Sequence, residues 1–167
     1  VALALTYLFS VTPTYTSTAL IMVDPTQKDL LETQSQVSSN AASDSARIES
    51  EVEILRSSSV ALEVIRKAQL VTDPEFGPSI GLTGRIAVAV GLSSGELPEG
   101  NALLQQTLTK LSNAVSVRRK GLTYLISLSI TAEDPGRAAS LANTMAETYI
   151  GSQIESKISS SLAARDI

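Results

Sequence analysis

The sequence contains no cysteine, no histidine and no tryptophan. Without cysteine there is no disulfide framework and no thiolate nucleophile or metal site, although that absence does not identify a compartment. Without histidine the chain lacks the commonest general base and metal ligand, and every Ser–His or Cys–His pair. Aromatic side chains are also few, four Tyr and two Phe, so little is available for stacking on sugars or bases. Basic charge is scarce: 13 Lys and Arg against 17 Asp and Glu leave a net charge of −4, where a nucleic-acid-binding domain would be basic. There is no Gly-Lys-Ser/Thr and no Gly-x-Gly-x-x-Gly, and hence no phosphate loop.

What is present suffices for one domain with a real core: 167 residues, 43% of them hydrophobic. The clearest element runs from Tyr124 to Ile150. Tyr124, Ile126, Leu128 and Ile130 alternate with Ser127, Ser129 and Thr131, as a half-buried strand requires. After Asp134-Pro135 the spacing turns helical, with Ala138, Leu141, Met145 and Tyr149 on one stripe. Asp134 is placed to cap that helix, and Pro135 to sit in its first turn, where a missing N–H costs nothing. Ile154, Ile158 and Leu162 carry an apolar row onward, so the helix is expected to reach Asp166, about 45 Å, and to overrun its sheet.

Upstream, Val1 to Val11 is uncharged but shorter than the roughly 20 residues of a spanning helix. It reads as the end of a truncated membrane helix, a buried element, or a signal-peptide remnant. Because the chain starts at Val1 without methionine, it reads as a piece of something longer. Tyr15 to Val23 is a strand whose later half is apolar on both faces, as in a central strand. Gln27 to Ser45 is polar and reads as a loop, within which Lys28 to Thr33 can form a helical turn. Ile48, Val52 and Leu55 mark a helix from about Asp44, which Ser57-Ser58-Ser59 can interrupt. A second helix follows over Val60 to Leu70, with Leu62, Ile65 and Gln69 continuing the stripe.

Val71 to Asn101 is rich in glycine and proline; within it Ile86 to Val90 fits either a short strand or a short helix. Asn101 caps a helix with Leu104, Leu108 and Leu111 on one face. Val115 to Val117 then starts a strand that turns through Arg118-Arg119-Lys120-Gly121 into the Tyr124 strand, making a hairpin. The expected class is α+β, an α/β sandwich: a small mixed sheet packed by helices, with a long C-terminal helix projecting.

Candidate sites are sparse. Glu49, Glu51 and Glu53 lie too far apart around a helix for paired-carboxylate chemistry and read as a solvated face. Asp73, Glu75 and Asp134 each stand beside a proline, where turn and cap roles explain them. Gly81 to Gly84 reads as an ordinary loop rather than an anion nest. Arg118, Arg119 and Lys120 form the one dense basic cluster. They are a solvated hairpin tip or a contact for an anionic polysaccharide, a lipid phosphate or a partner, since paired guanidiniums bind such groups bidentately.

Three stretches together resemble the chain-length determinant (Wzz-type) family of polysaccharide co-polymerases. They are the apolar run leading into Pro13-Thr-Tyr15 and on to Asp24-Pro25, the helix pair Ile48 to Ile65, and Leu125 to Thr131 followed by Asp134-Pro135-Gly-Arg-Ala138 to Tyr149. The resemblance implies a periplasmic α/β domain between two membrane helices of a bacterial inner-membrane protein. On that reading residues 1–11 end the first membrane helix, 12–150 form the domain and 151–167 begin the projecting arm. It implies no catalytic residue, cofactor or metal ion. The role would be to set polysaccharide chain length as a homo-oligomeric ring, beside a membrane polymerase and its nascent polymer, with no nucleic acid involved. Asp73-Pro74-Glu75-Phe76 is similar to the subgroup handling acidic exopolysaccharides, whose members often add a cytoplasmic tyrosine autokinase domain. A different function class, the extracytoplasmic ligand-sensing domain of a membrane receptor, fits the same composition but needs a ligand pocket.

Overall fold

The alternation in Leu125 to Ala132 decides the architecture. The computed structural model describes residues 12–23, 41–78 and 100–163. In it the strand β3 (Leu125–Ala132) lies in the middle of a three-stranded sheet between β1 (Tyr15–Met22) and β2 (Val115–Arg119). Ile126, Leu128, Ile130 and Ala132 are all buried, and Leu125, Ser127, Ser129 and Thr131 are only half-buried on the other face. The α+β class is as expected. The pairing, however, is antiparallel throughout among the described strands, where a mixed sheet was expected. β1 and β2 do run in the same direction, but β3 lies between them and keeps them from pairing.

One face of the sheet is covered by helices. These are α1 (Ala41–Arg56), α2 (Ser58–Lys67), α3 (Asn101–Ala114) and α4 (Pro135–Ala163), with a short 3-10 turn at Leu70–Thr72 after α2. α4 lies across β1 and β3, α1 against β2, and α2 between α3 and α4. Ile48, Val52 and Leu55 of α1 and Ala138, Leu141, Ala142 and Met145 of α4 join the β3 row in a single core. Ser57 does interrupt the helices: its backbone is extended, and its hydroxyl accepts from the Val60 N–H to start α2. This break resets the helical phase. The buried stripe of α2 is Val60, Ala61, Val64 and Ile65, while Leu62 is exposed, as is Gln69, which adopts a left-handed backbone at φ 52°. In α3 the cap position falls to Gly100 rather than Asn101, and Leu111 is buried while Leu104 is exposed.

β1 corrects a second expectation. Among the described strands it lies at the edge of the sheet rather than in its centre, and its outward residues Leu20 and Met22 are left uncovered by any described element. Apolarity on both faces of a strand therefore does not imply a strand neighbour on both sides. Apart from Leu125, the rest of the outer face is polar: Thr16 and Thr131 hydroxyls meet at 2.8 Å, as do those of Thr18 and Ser129.

The start of α4 is fixed by the turn Asp73 to Gly77. Asp134 caps α4 as its sequence suggests, its carboxylate accepting from the Arg137 N–H at 2.7 Å. Arg137 in turn donates to the Asp73 carboxylate and to the Ala68 carbonyl. The other Asp73 oxygen accepts from the Glu75 and Phe76 N–H groups at 2.9 and 3.0 Å, closing the turn. Lys110 of α3 donates to the Glu75 and Gly77 carbonyls at 2.9 and 2.6 Å, and Glu75 accepts from the Glu133 N–H at 2.9 Å. Gly77 has to be glycine: a Cβ there would lie 2.3 Å from the Asp73 carbonyl oxygen. Burial raises the Asp73 carboxyl, but the Phe76 and Glu75 N–H groups and Arg137 outweigh it and hold the acid below its ordinary value. Glu75 is shifted the other way, chiefly by burial.

The readings made for Val1–Val11, Gln27–Asn40, Gly81–Gly84 and Ile86–Val90 lie outside the described residues. Among those described, no helix is long and apolar enough to cross a membrane.

Two outcomes test this packing. Leu128→Ala should cost about 2–5 kcal/mol in denaturant unfolding, whereas Ser127→Ala, one residue away on the other face, should stay within about 0.5 kcal/mol. A carboxyl lowered in the folded state stabilises above its unfolded value, here 3.8, and loses that contribution as the pH falls through the lower folded value. Asp73→Asn should therefore be less stable than the parent at neutral pH, and the gap should close below about pH 4 in thermal unfolding.

Candidate assembly surface and basic cavity

α4 is 29 residues long, about 44 Å at 1.5 Å per residue. β3 spans about 24 Å from Ala132 back to Leu125 at roughly 3.4 Å per residue. Starting at Pro135, α4 passes the level of Leu125 near Gly151, and about 18 Å of it continues past that end of β3. Residues 154–159 are all exposed.

The phase of the helix matters as much as its length. The buried stripe ends at Tyr149, and the next apolar row is Ile150, Ile154, Ile158 and Leu162, each about half exposed. From Tyr149 to Ile154 is five residues, or about 140° around the helix at 100° per residue. The second row therefore does not continue the buried stripe. It lies on the side of α4 turned away from the sheet, in line with the exposed Asn143 and Glu147.

A clasp on the buried side sets the direction in which α4 leaves the domain. Glu51 of α1 accepts from the Tyr149 hydroxyl and from Gln153 Nε2, both at 2.7 Å. Burial, together with the Glu51 carboxylate beside it, pushes the Tyr149 phenol well above its ordinary value, so it remains a donor at any physiological pH. Glu51 is thus not part of a solvated face, as its sequence neighbours suggested; Glu49 and Glu53 are exposed. The spacing of these acids held no signal for the clasp, whose partners lie 98 and 102 residues away.

The basic triplet is divided by the strand pleat. Arg119 turns inward, half-buried, and donates from Nε to the Thr123 carbonyl at 2.9 Å, bracing the hairpin around Gly121 at φ 62°. Arg118 and Lys120 are exposed, with no hydrogen bond or ion pair from their side chains among the described residues. Arg118 lines a cavity of about 370 Å³ at the free edge of β2, opposite Arg56, with Ser112 and Ser116 beside it and Leu111, Val117 and Met145 among its apolar walls. Arg56 is partly committed there, donating to the Val117 carbonyl and pairing with Glu53 at 3.1 Å. Sequence reasoning found Arg118 but not Arg56, which comes from 62 residues earlier in the chain. Among the described residues no three Asp or Glu side chains gather closely enough to hold a metal ion.

The family model described as chain length determinant protein, Wzz, matches residues 1–68. The succinoglycan biosynthesis transport protein ExoP of Rhizobium meliloti (strain 1021) is 27% identical over 164 residues, which covers 92% of this chain and 21% of that protein. The chain therefore spans about a fifth of the length of the curated relative it matches. No solved structure matches it. The family match takes in β1, α1 and α2, and the likeness to the succinoglycan protein extends over nearly the whole chain. On these two likenesses the chain is similar to the Wzz-type chain length determinant proteins, by its first 68 residues to the family model and by nearly its whole length to the succinoglycan protein.

Proposed function

We propose that these residues form a non-catalytic periplasmic domain of a bacterial inner-membrane polysaccharide co-polymerase. It regulates the chain length or export of an exopolysaccharide or surface polysaccharide by assembling into a homo-oligomer beside the polymerase. The family description and the relative's printed role in succinoglycan biosynthesis and transport support the polysaccharide part. The observation that carries the assembly part is the row Ile150, Ile154, Ile158 and Leu162 on the far side of an overhanging helix. Fully burying one such side chain is worth about 1.5–3 kcal/mol. Four of them in one stripe make a surface that a protein working alone would not present.

The cavity at the edge of β2 supplies the polymer contact in this reading. Arg118 is free to pair with a carboxylate or other anionic group, and the apolar walls accommodate the face of a sugar ring.

Two experiments address these parts separately. In cells making the polymer, full-length protein carrying Ile154→Glu and Ile158→Glu together should accumulate normally, since both side chains are exposed, yet shift the polysaccharide to an abnormal length distribution. An unchanged distribution would remove the assembly surface from the mechanism. Arg118→Glu should weaken binding of the full-length protein to an acidic polysaccharide several-fold at low ionic strength and flatten its salt dependence, as followed by biolayer interferometry. Equal binding by the two proteins would exclude Arg118.

A further inference from the structure

The core leaves part of the apolar surface of α2 unused. Leu62 is 42% exposed, and Leu104 on the neighbouring helix α3 is 39% exposed. Both line one cavity of about 460 Å³ between the two helices, with the buried Ile65 at its base and Val71 of the 3-10 turn beside them. Its polar side chains, Ser59, Glu63 and Arg66, all come from α2. Ser59 and Arg66 stand two helical turns apart, about 10 Å along the helix.

The charges around this cavity do not cancel. Glu63 pairs with Lys67 at 3.1 Å, and Lys67 also donates to the Thr148 hydroxyl at 3.2 Å. Arg66 is exposed, and among the described residues its side chain makes no hydrogen bond or ion pair. Nor is it needed to close its own helix, because the Val64 and Arg66 carbonyls already accept from the Ala68 and Gln69 N–H groups. One guanidinium is left over at the edge of an apolar hollow.

From this arrangement we infer that the cavity between α2 and α3 binds a small amphipathic carboxylate, an alkyl chain ending in a single carboxyl group. The chain lies along Leu62, Leu104 and Ile65, and the carboxylate pairs with Arg66. This ligand is independent of the co-polymerase reading and of the cavity at the edge of β2.

Three features favour this occupant over others. The first is size. Small-molecule sites occupy about 300–1,000 Å³, and this cavity falls inside that range. A stable protein partner would need roughly 800 Å² from each side, whereas the open apolar surface here is two partly covered leucines and the half-buried Val71. The second is the lining. Its walls are aliphatic and Ser59 brings the one hydroxyl, so a sugar would leave most of its own hydroxyls unpaired. The cavity at β2, with two arginines and two serines, is the polar one. The third is charge. A guanidinium holds a carboxylate through two parallel N–H···O bonds, which an uncharged chain of the same length forgoes.

Photolabelling of full-length protein in native membranes tests the site. The probe is decanoic acid carrying a diazirine near the end of its chain, and adducts are located by peptide mass spectrometry. They should fall on the segments around Leu62 and Leu104, and excess decanoate should displace them several-fold better than decanol. Arg66→Glu, at an exposed and unpaired position, should lower labelling there several-fold. Leu104→Glu on the other wall should do the same, and Arg118→Glu should leave it unchanged. Labelling that Arg66→Glu does not alter would overturn the site, as would its absence because another segment or a partner protein fills the cavity. Labelling seen only when the diazirine chain is esterified in a phospholipid would overturn the free carboxylate and assign the cavity to a membrane lipid. None of these outcomes depends on the oligomeric state, so the site and the self-assembling reading stand or fall separately.

Discussion

Ile126, Leu128 and Ile130 sit on one side of a strand whose hydrogen bonds are already met by β1 and β2, so they must be covered by a second layer packed on that face. α4 supplies that layer, because the turn at Asp134-Pro135 sends it straight back over β3, with Ala138, Leu141 and Met145 facing the strand. Everything else arranges itself around that contact. α1 covers β2, α2 wedges between α3 and α4, and the Asp73–Arg137 pair ties the start of α4 to the turn that follows α2. The ion pair is worth little through its charges alone, being partly open to water on the arginine side. Its value is positional, since Asp73 also closes the Gly77 turn that holds Lys110 of α3.

The functional reading comes from what that packing leaves over. The core needs roughly sixteen residues of α4 to span β3, and the helix continues for about twelve more. Over that extension its apolar residues move to the other side, away from the sheet. A helix extended merely by chance would have no reason to carry isoleucine at 150, 154 and 158 and leucine at 162, each open to solvent. The Glu51 clasp on Tyr149 and Gln153 then matters for function as well as stability, because it fixes the angle at which this row is presented.

Local rules found the elements, and long-range pairing decided their meaning. The alternation of β3, the cap at Asp134 and the break at Ser57 were legible because each depends on neighbours within a few residues. The edge position of β1 was not: Leu20 and Met22 look the same in sequence whether another strand or a second molecule covers them. Leu62 and Gln69 were misread for a related reason, since the serine break shifted the phase on which their stripe depended. In the basic cluster, sequence adjacency suggested one site, but the pleat of β2 divides it. Arg119 braces the hairpin, Arg118 faces a cavity shared with Arg56, and Lys120 stands beside the apolar edge of the sheet. Glu51 carried no local sign of its partners at all.

In the function proposed above the domain is a scaffold, with Arg118 as the proposed contact to an anionic polymer and the far side of α4 as the proposed contact to other copies. Self-association of the intact protein is the claim on which the rest of the account stands. The most direct test is the native mass of the full-length protein extracted from its membrane in mild detergent, measured by light scattering or native mass spectrometry. A particle of many identical copies is the predicted result, and a strictly monomeric particle under those conditions would contradict the account.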